Sequence, residues 1–177
     1  MPERRTDRLH LGRQSLAGAT YFVTACTNKR RRVLTDSIAA QAALAALGQL
    51  QAAGDAEILA ATLMPDHVHL LFVLGSRIEL SQVTGKFKNQ ARSCGRAPWR
   101  WQKDVYEHRL RPDETAEDYG FYIFMNPYRA GLVRSDERWP HWFCSSRFDF
   151  LAAVKDSEPI PSESIPRSIQ FRAPLSP

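Results

Sequence analysis

The stretch Glu57–Leu74, EILAATLMPDHVHLLFVL, decides how this chain is read. Two strand-like apolar runs, Glu57–Leu63 and His67–Leu74, flank Met64-Pro65-Asp66, where proline and aspartate favour a compact turn. A β-hairpin is expected. His67 and His69 are two residues apart, so in a strand both imidazoles leave the same face, roughly 6–7 Å apart at the backbone. Val68, Leu70 and Phe72 take the other face and would anchor the strand on helices. At that separation both rings can reach one metal ion. The spacing alone leaves open that they are ordinary strand histidines, and two histidines make only half a ligand set.

Working outward, Tyr21–Cys26 is a β-branched and aromatic run that suits a first strand, and Asn28–Arg32 follows as a basic loop. Thr35 or Asp36 can cap a helix over Ser37–Ala53, which Gly54 can end. Beyond the hairpin, Leu80, Val83, Phe87 and Ala91 step by three and four residues, predicting an amphipathic helix over Glu79–Cys94. Trp99–His108 alternates roughly between apolar and polar and predicts another strand. Pro112 opens a last helix, with Asp113, Glu114, Glu117 and Asp118 at its positive end. Pro127 is expected to stop that helix near Asn126, because a residue preceding proline avoids the α region. The order β-α-β-β-α-β plus one helix defines an α+β, ferredoxin-like split βαβ fold. It is an antiparallel sheet with two helices on one face and an additional C-terminal helix. Residues 1–19 read as a basic N-terminal arm and 20–150 as the domain. Residues 151–177 read as a Pro/Ser-rich tail, extended or mobile.

Composition narrows the classes. With 177 residues and 44% hydrophobic content, one packed domain is expected. No run approaches the roughly 18 apolar residues of a membrane span, so no membrane partner is expected. Met1-Pro2-Glu3-Arg4-Arg5 lacks the apolar stretch of a secretory signal, and the three cysteines form no C-x-x-C pair. Both point to a cytoplasmic protein with reduced thiols. The net charge of +5 is concentrated: Lys86 to Arg111 holds eight cations against two carboxylates, a local +6, interleaved with Trp99, Trp101 and Tyr106. Cations with aromatic platforms suit single-stranded nucleic acid. The same pattern also fits a solvated helix face over core tryptophans.

Tyr122 and Asn126 lie four residues apart, hence on one face of the last helix. Laid over the sheet, that helix would hold both above the histidine pair. An amide oxygen with two imidazoles suits Mg²⁺ or Mn²⁺. The competing reading has Asn126 capping the helix and Tyr122 packing in the core. A tyrosine hydroxyl, with a pKa of about 10, attacks phosphorus only when a metal polarises the phosphodiester.

Met64-Pro65-Asp66-His67-Val68-His69-Leu70-Leu71 resembles the histidine–hydrophobe–histidine motif of single-tyrosine HUH transposases, especially the REP-associated tyrosine transposases. Tyr21–Thr24, Trp101–Arg111, Tyr122–Val133, and Trp139-Pro140 followed by Ser145-Ser146 match other segments of that family in order. Glu107-His108 departs from the Asp-His common among relatives, and Trp142-Phe143-Cys144 lies where they are usually shorter or different. The resemblance implies a metal-dependent single-stranded DNA endonuclease and strand transferase. It would cleave near DNA hairpins through a covalent 5′-phosphotyrosine, with a monomer or weak homodimer acting at the nucleoid. Tyr122 would be the nucleophile, His67, His69 and Asn126 the metal ligands, and Lys86, Lys88, Arg92, Arg109, Arg111 and Arg129 the DNA contacts. The alternatives are a catalytically silent hairpin-DNA-binding regulator on the same fold and a metal hydrolase that uses water.

Overall fold

The structure, a computed structural model, describes residues 15–92, 99–145 and 150. Most of the expected arm and all of the expected tail lie outside the described residues. Five strands alternate with three helices: β1 (Thr20–Cys26), α1 (Ser37–Ala52), β2 (Ala56–Met64), β3 (His67–Leu74), α2 (Leu80–Arg92), β4 (Tyr106–Arg109), α3 (Ala116–Arg129) and β5 (Trp142–Cys144). The sheet is antiparallel in the order β4-β1-β3-β2-β5. Its first four strands form the expected ferredoxin-like arrangement, and β5 adds an edge that was not anticipated.

β3 lies at the centre of the sheet, with β1 and β2 as partners. Both of its faces are covered, so the strand is buried along nearly all its length and reads as an almost unbroken apolar run. Val68, Leu70 and Phe72 pack with Tyr21, Val23, Leu63 and Ile58 against Ala43 and Leu47 of α1 and Val83 and Phe87 of α2. On the opposite face, Phe22, Leu59, Ala60 and Leu71 pack beneath Tyr119 and Ile123 of α3. A bulge between Ile58 and Ala60 shifts the β2 register, so that Leu59 and Ala60 both join the layer under α3.

Local chemistry sets the helix ends. Asp36, one of the two expected caps, accepts hydrogen bonds from the backbone N–H of Ile38 and Ala39 at 2.9 and 3.0 Å. Gly54, at φ +71°, ends α1: its N–H bonds to the Gln51 carbonyl while Asp55 N–H reaches back to Leu50. The last helix starts later and ends later than the sequence suggested. Pro112 and Asp113 lie in a turn, and Thr115 is the cap, its hydroxyl accepting from Asp118 N–H at 3.1 Å. Pro127 does not stop the helix but sits inside it, buried. Near the C-terminus a proline forfeits only one backbone bond, and here the Pro127 carbonyl accepts from Leu132 N–H at 2.9 Å. Gly131, at φ +64°, makes that closure.

The expected strand Trp99–His108 is reduced to Tyr106–Arg109, with Trp101 forming only an isolated bridge to Thr27. The Lys88 ammonium donates to the carbonyls of Gln102 and Lys103, and Trp101 Nε1 donates to the Lys88 carbonyl. These bonds tie the segment to α2 instead of the sheet. Trp99 is buried with Leu34 and Ala39, so the tryptophans are core rather than base platforms.

Phe72 is the largest apolar group on the helix-facing side of β3 and is fully buried. Phe72→Ala is expected to cost about 3–5 kcal/mol, measured by urea unfolding. A loss below about 1 kcal/mol would contradict the packing described.

Candidate active site

The alternation of β3 that sends Val68 and Leu70 toward α1 and α2 sends His67 and His69 toward α3. His69 is 6% exposed. Its ring stacks on Phe22 at 5.6 Å and meets the Tyr122 ring edge-on at 5.7 Å. Across the β1–β3 register, Thr24 stands opposite His69, its hydroxyl 2.8 Å from Nδ1. His67 Nδ1 lies 2.6 Å from Asp66 Oδ1. Asp66 is ionised and can only accept, so Nδ1 of His67 donates to it. Carboxylate and hydroxyl oxygens thus orient the two rings from behind, as the outer hydrogen-bond partners of metal-bound histidines do.

The two Nε2 atoms are 3.1 Å apart. If each ring carries its proton on Nδ1, two lone pairs converge on one point. Nitrogens at right angles on a cation, each about 2.1 Å from it, stand about 3.0 Å apart. The pair therefore fits a single divalent ion. Among the described residues no group of three His, Cys, Asp or Glu forms a metal cluster, so a third donor must be of another type. The Asn126 amide oxygen is a group of that other type that could serve. Asn126 Nδ2 donates to the Tyr122 carbonyl at 2.7 Å, and its amide also hydrogen-bonds the His69 ring and the Tyr122 hydroxyl. Helical spacing by itself could not decide between cap and site for Asn126. In the structure it is not a cap, because α3 continues to Arg129; it bonds a carbonyl of its own helix and lies against the histidine and the tyrosine.

Burial holds the His69 pKa well below 6.5, and the nearby charges of His67 and Arg30 push it further down while Asn126 opposes. His69 is thus neutral at physiological pH, the form that can ligate. Burial raises the Tyr122 hydroxyl above its usual 10, against the lowering effects of Asn126 and Arg129. Arg129 lies about two helical turns along α3 from Tyr122, its guanidinium carbon 5.6 Å from the Tyr122 ring centroid.

Residues that composition and spacing did not single out complete the surroundings. Asp66 bridges His67 and Arg30, whose Nε lies 2.9 Å from Oδ2. Burial alone would raise Asp66, but His67 and Arg30 outweigh it and hold the carboxyl below its ordinary range. Arg30 also donates from Nη1 to Cys26 Sγ at 2.8 Å. Glu114 ties β4 to the start of α3: it bonds His108 Nε2 at 2.7 Å, the Tyr119 hydroxyl at 3.0 Å and Arg111 N–H at 2.7 Å. The position of Asp66 beside His67 was a readable signal. Arg30 and Glu114 were not readable, because only the folded register brings them to their partners.

The expected DNA-contacting cations are dispersed. Lys86 is ion-paired at 2.7 Å with the buried Asp55, and Lys88 holds two carbonyls, both on α2, across the sheet from Tyr122. Arg109 pairs with Tyr21 in the β1–β4 register, and so points to the α1/α2 face. Arg92 and Arg111 are exposed. Of the six, Arg129 is the one that lies against Tyr122.

Comparison with known proteins accords with this geometry. The family described as IS200-like transposases matches residues 15–109, more than half of the chain. The chain belongs to that transposase family. A REP-associated tyrosine transposase of Escherichia coli K12 is 28% identical over 131 residues, covering 72% of this chain and 78% of its own. A Haemophilus influenzae protein with a provisional form of the same name is 29% identical over 100 residues, and the aligned part spans 57% of its length. A solved REP-associated tyrosine transposase bound to a REP hairpin superposes with a TM-score of 0.60 at 27% identity, covering 80% of this chain and 82% of that one. No helix among the described residues is long and apolar enough to cross a membrane.

Because His69 titrates lower in the folded chain than when unfolded, the unfolded state takes up the extra proton as pH falls through about 6.5. The stability contributed by neutral His69 is complete above that pH and is lost progressively below it. Denaturant unfolding at pH 7.5 and 5.5 is expected to show a drop on acidification. His141, which burial also lowers, adds a smaller share. A flat profile would show that His69 is not buried as described.

Proposed function

We propose that this protein is a metal-dependent single-strand DNA nickase and strand transferase acting near DNA hairpins, with Tyr122 as the nucleophile. The observation that carries the reading is the meeting of Tyr122, Asn126, His67 and His69 at one point between β3 and α3. Hairpin DNA as the substrate class rests on the similarity to the transposase solved with a REP hairpin.

His67, His69 and Asn126 would hold a divalent cation, Mg²⁺ or Mn²⁺, which supplies polarisation of the phosphodiester and stabilisation of developing charge. Asp66 and Thr24 orient the two imidazoles so that Nε2 faces inward. The Tyr122 hydroxyl, protonated at rest because burial raises its pKa, gives up its proton as Oη attacks phosphorus. Arg129 beside the ring favours the developing phenolate. The Oη–P bond forms, the P–O3′ bond breaks, and the departing oxygen takes up a proton to become a 3′-hydroxyl. DNA is left joined by its 5′-phosphate to Tyr122. A second 3′-hydroxyl then attacks the phosphotyrosine, restoring a phosphodiester and the free tyrosine. Bond energy is conserved, and no nucleotide cofactor is required. Arg92, Arg109 and Arg111 remain candidates for phosphate contacts outside the centre. Lys86 and Lys88 could add charge while keeping their intramolecular bonds.

Labelled hairpin DNA with single-stranded flanks, incubated with Mn²⁺ and run on a denaturing gel, is expected to yield a protein–DNA adduct. The adduct should vanish in Tyr122→Phe. An adduct that persists in the variant, or cleavage without any adduct in the unaltered protein, would overturn the assignment. Asp66→Ala is expected to weaken Mn²⁺ binding by about 10–100-fold through loss of ring orientation. Titration calorimetry on the DNA-free protein reads this directly, and unchanged affinity would remove Asp66 from the site.

A further inference from the structure

The turn between β1 and α1, Thr27–Arg32, is the most unusual piece of backbone in the described chain. Lys29 and Arg30 both have positive φ, 56° and 53°, in consecutive positions and without a glycine. Non-glycine residues held there are strained by about 1–3 kcal/mol each and persist only where their surroundings over-determine them. The surroundings do so. Thr27 N–H donates to the Asp66 carbonyl at 2.9 Å, the Thr27 hydroxyl lies 2.7 Å from the Arg31 carbonyl and 3.0 Å from that of Asp66, and Leu34 N–H donates to the Pro65 carbonyl at 3.0 Å. Asn28 N–H donates to the Arg100 carbonyl at 2.7 Å. The turn is thus clamped onto the two residues that immediately precede His67.

Its side chains divide in two. Arg30 is drawn inward to Asp66 and Cys26. Lys29, Arg31 and Arg32 are exposed, and among the described residues none of the three ammonium or guanidinium groups has a hydrogen-bond or ion-pair partner. Three exposed cations within four residues, on the turn that follows the β1 position opposite His67, make a locally basic rim. Aromatic side chains in this neighbourhood, Trp99 and Trp101, are packed with Leu34 and not presented as stacking platforms. A strand here would be held by its phosphates, independently of its bases.

We propose that this turn is a docking rim for the single-stranded DNA flanking the hairpin, with Lys29, Arg31 and Arg32 binding consecutive backbone phosphates. The inference rests on the proposed function and deepens it, because Asp66, onto which the turn is clamped, is joined to Tyr122 through His67 and His69. The left-handed backbone is what lets Arg30 point in while its neighbours point out. Duplex stem binding is the competing assignment, which the following measurement separates.

Binding of fluorescently labelled DNA to the full chain is measured by anisotropy in EDTA, where metal-dependent cleavage is suppressed, across a range of salt concentrations. Two DNAs are compared, a hairpin with single-stranded flanks and the same hairpin blunt-ended. The triple variant Lys29→Gln/Arg31→Gln/Arg32→Gln is expected to weaken binding of the flanked DNA alone. Its slope of log affinity against log salt should fall by about 2, as loss of three single-strand phosphate contacts requires. Scrambling the flank sequence should leave the effect unchanged. Lys29→Gly provides a second arm, expected to raise the melting temperature by relieving the strain while lowering flanked-DNA affinity. An unchanged slope in the triple variant, or an equal loss on the blunt hairpin, overturns the rim while leaving the Tyr122 adduct assay untouched. Failure of the unaltered protein to bind either DNA overturns both.

Discussion

Side chains of a β-strand alternate between faces, and β3 is central, with both faces covered. Every other feature of the molecule depends on that constraint. One face of β3 must be apolar to seat α1 and α2, and Val68, Leu70 and Phe72 meet the requirement. The other face is then available for chemistry, but only where α3 leaves room for polar groups. Leu71 is spent on packing beneath α3, and His67 and His69 occupy the end nearer the hairpin turn. A one-residue slip of register would bury the imidazoles among the helices and expose the core residues. The hairpin at Pro65-Asp66 and the long pairing with β1 prevent it.

Polar groups in such a buried place need partners, and the structure supplies them from three directions. Thr24 comes from β1, Asp66 from the hairpin turn and Asn126 from α3. Asp66 is in turn satisfied by Arg30, whose backbone is strained to reach it. The chain Arg30–Asp66–His67 links the rim of the protein to its centre through two short polar contacts. Glu114 performs a comparable service for α3. By accepting from Tyr119, from Arg111 N–H and from His108, it fixes the first turn of the helix on the sheet edge, and so sets the height of Tyr122 above His69.

Much of this could be read beforehand, for identifiable reasons. The β2–β3 hairpin, α1 and α2 carry strong periodicity with clear punctuation, and the histidine pair follows from period two. Tyr122 and Asn126 follow from helical spacing, although their meeting with the histidines does not. The misread segments share a cause, since tertiary bonds overrode a local rule. Trp99–His108 alternates like a strand, yet Lys88 and Trp101 tie its first half to α2. Pro127 ought to break a helix, but near the last turn the cost is one bond, and Gly131 closes the end. β5 is only three residues long and exists because β2 offers an edge.

The charge pattern shows where sequence ends and structure begins. From sequence alone came the class of fold, the two imidazoles on one face, the paired tyrosine and amide, and an excess of cations. These are properties of periodicity and composition, which need no knowledge of distant neighbours. Which cations are free, and where, is a different matter. Lys86 and Lys88 lie in the most basic stretch but are held by Asp55 and by backbone carbonyls, whereas Lys29, Arg31 and Arg32 in a short loop are exposed and without a partner among the described residues. A charge is neutralised or left available by groups remote in the chain. Only the folded packing, which brought residue 55 to residue 86 and residue 66 to residue 30, could decide it.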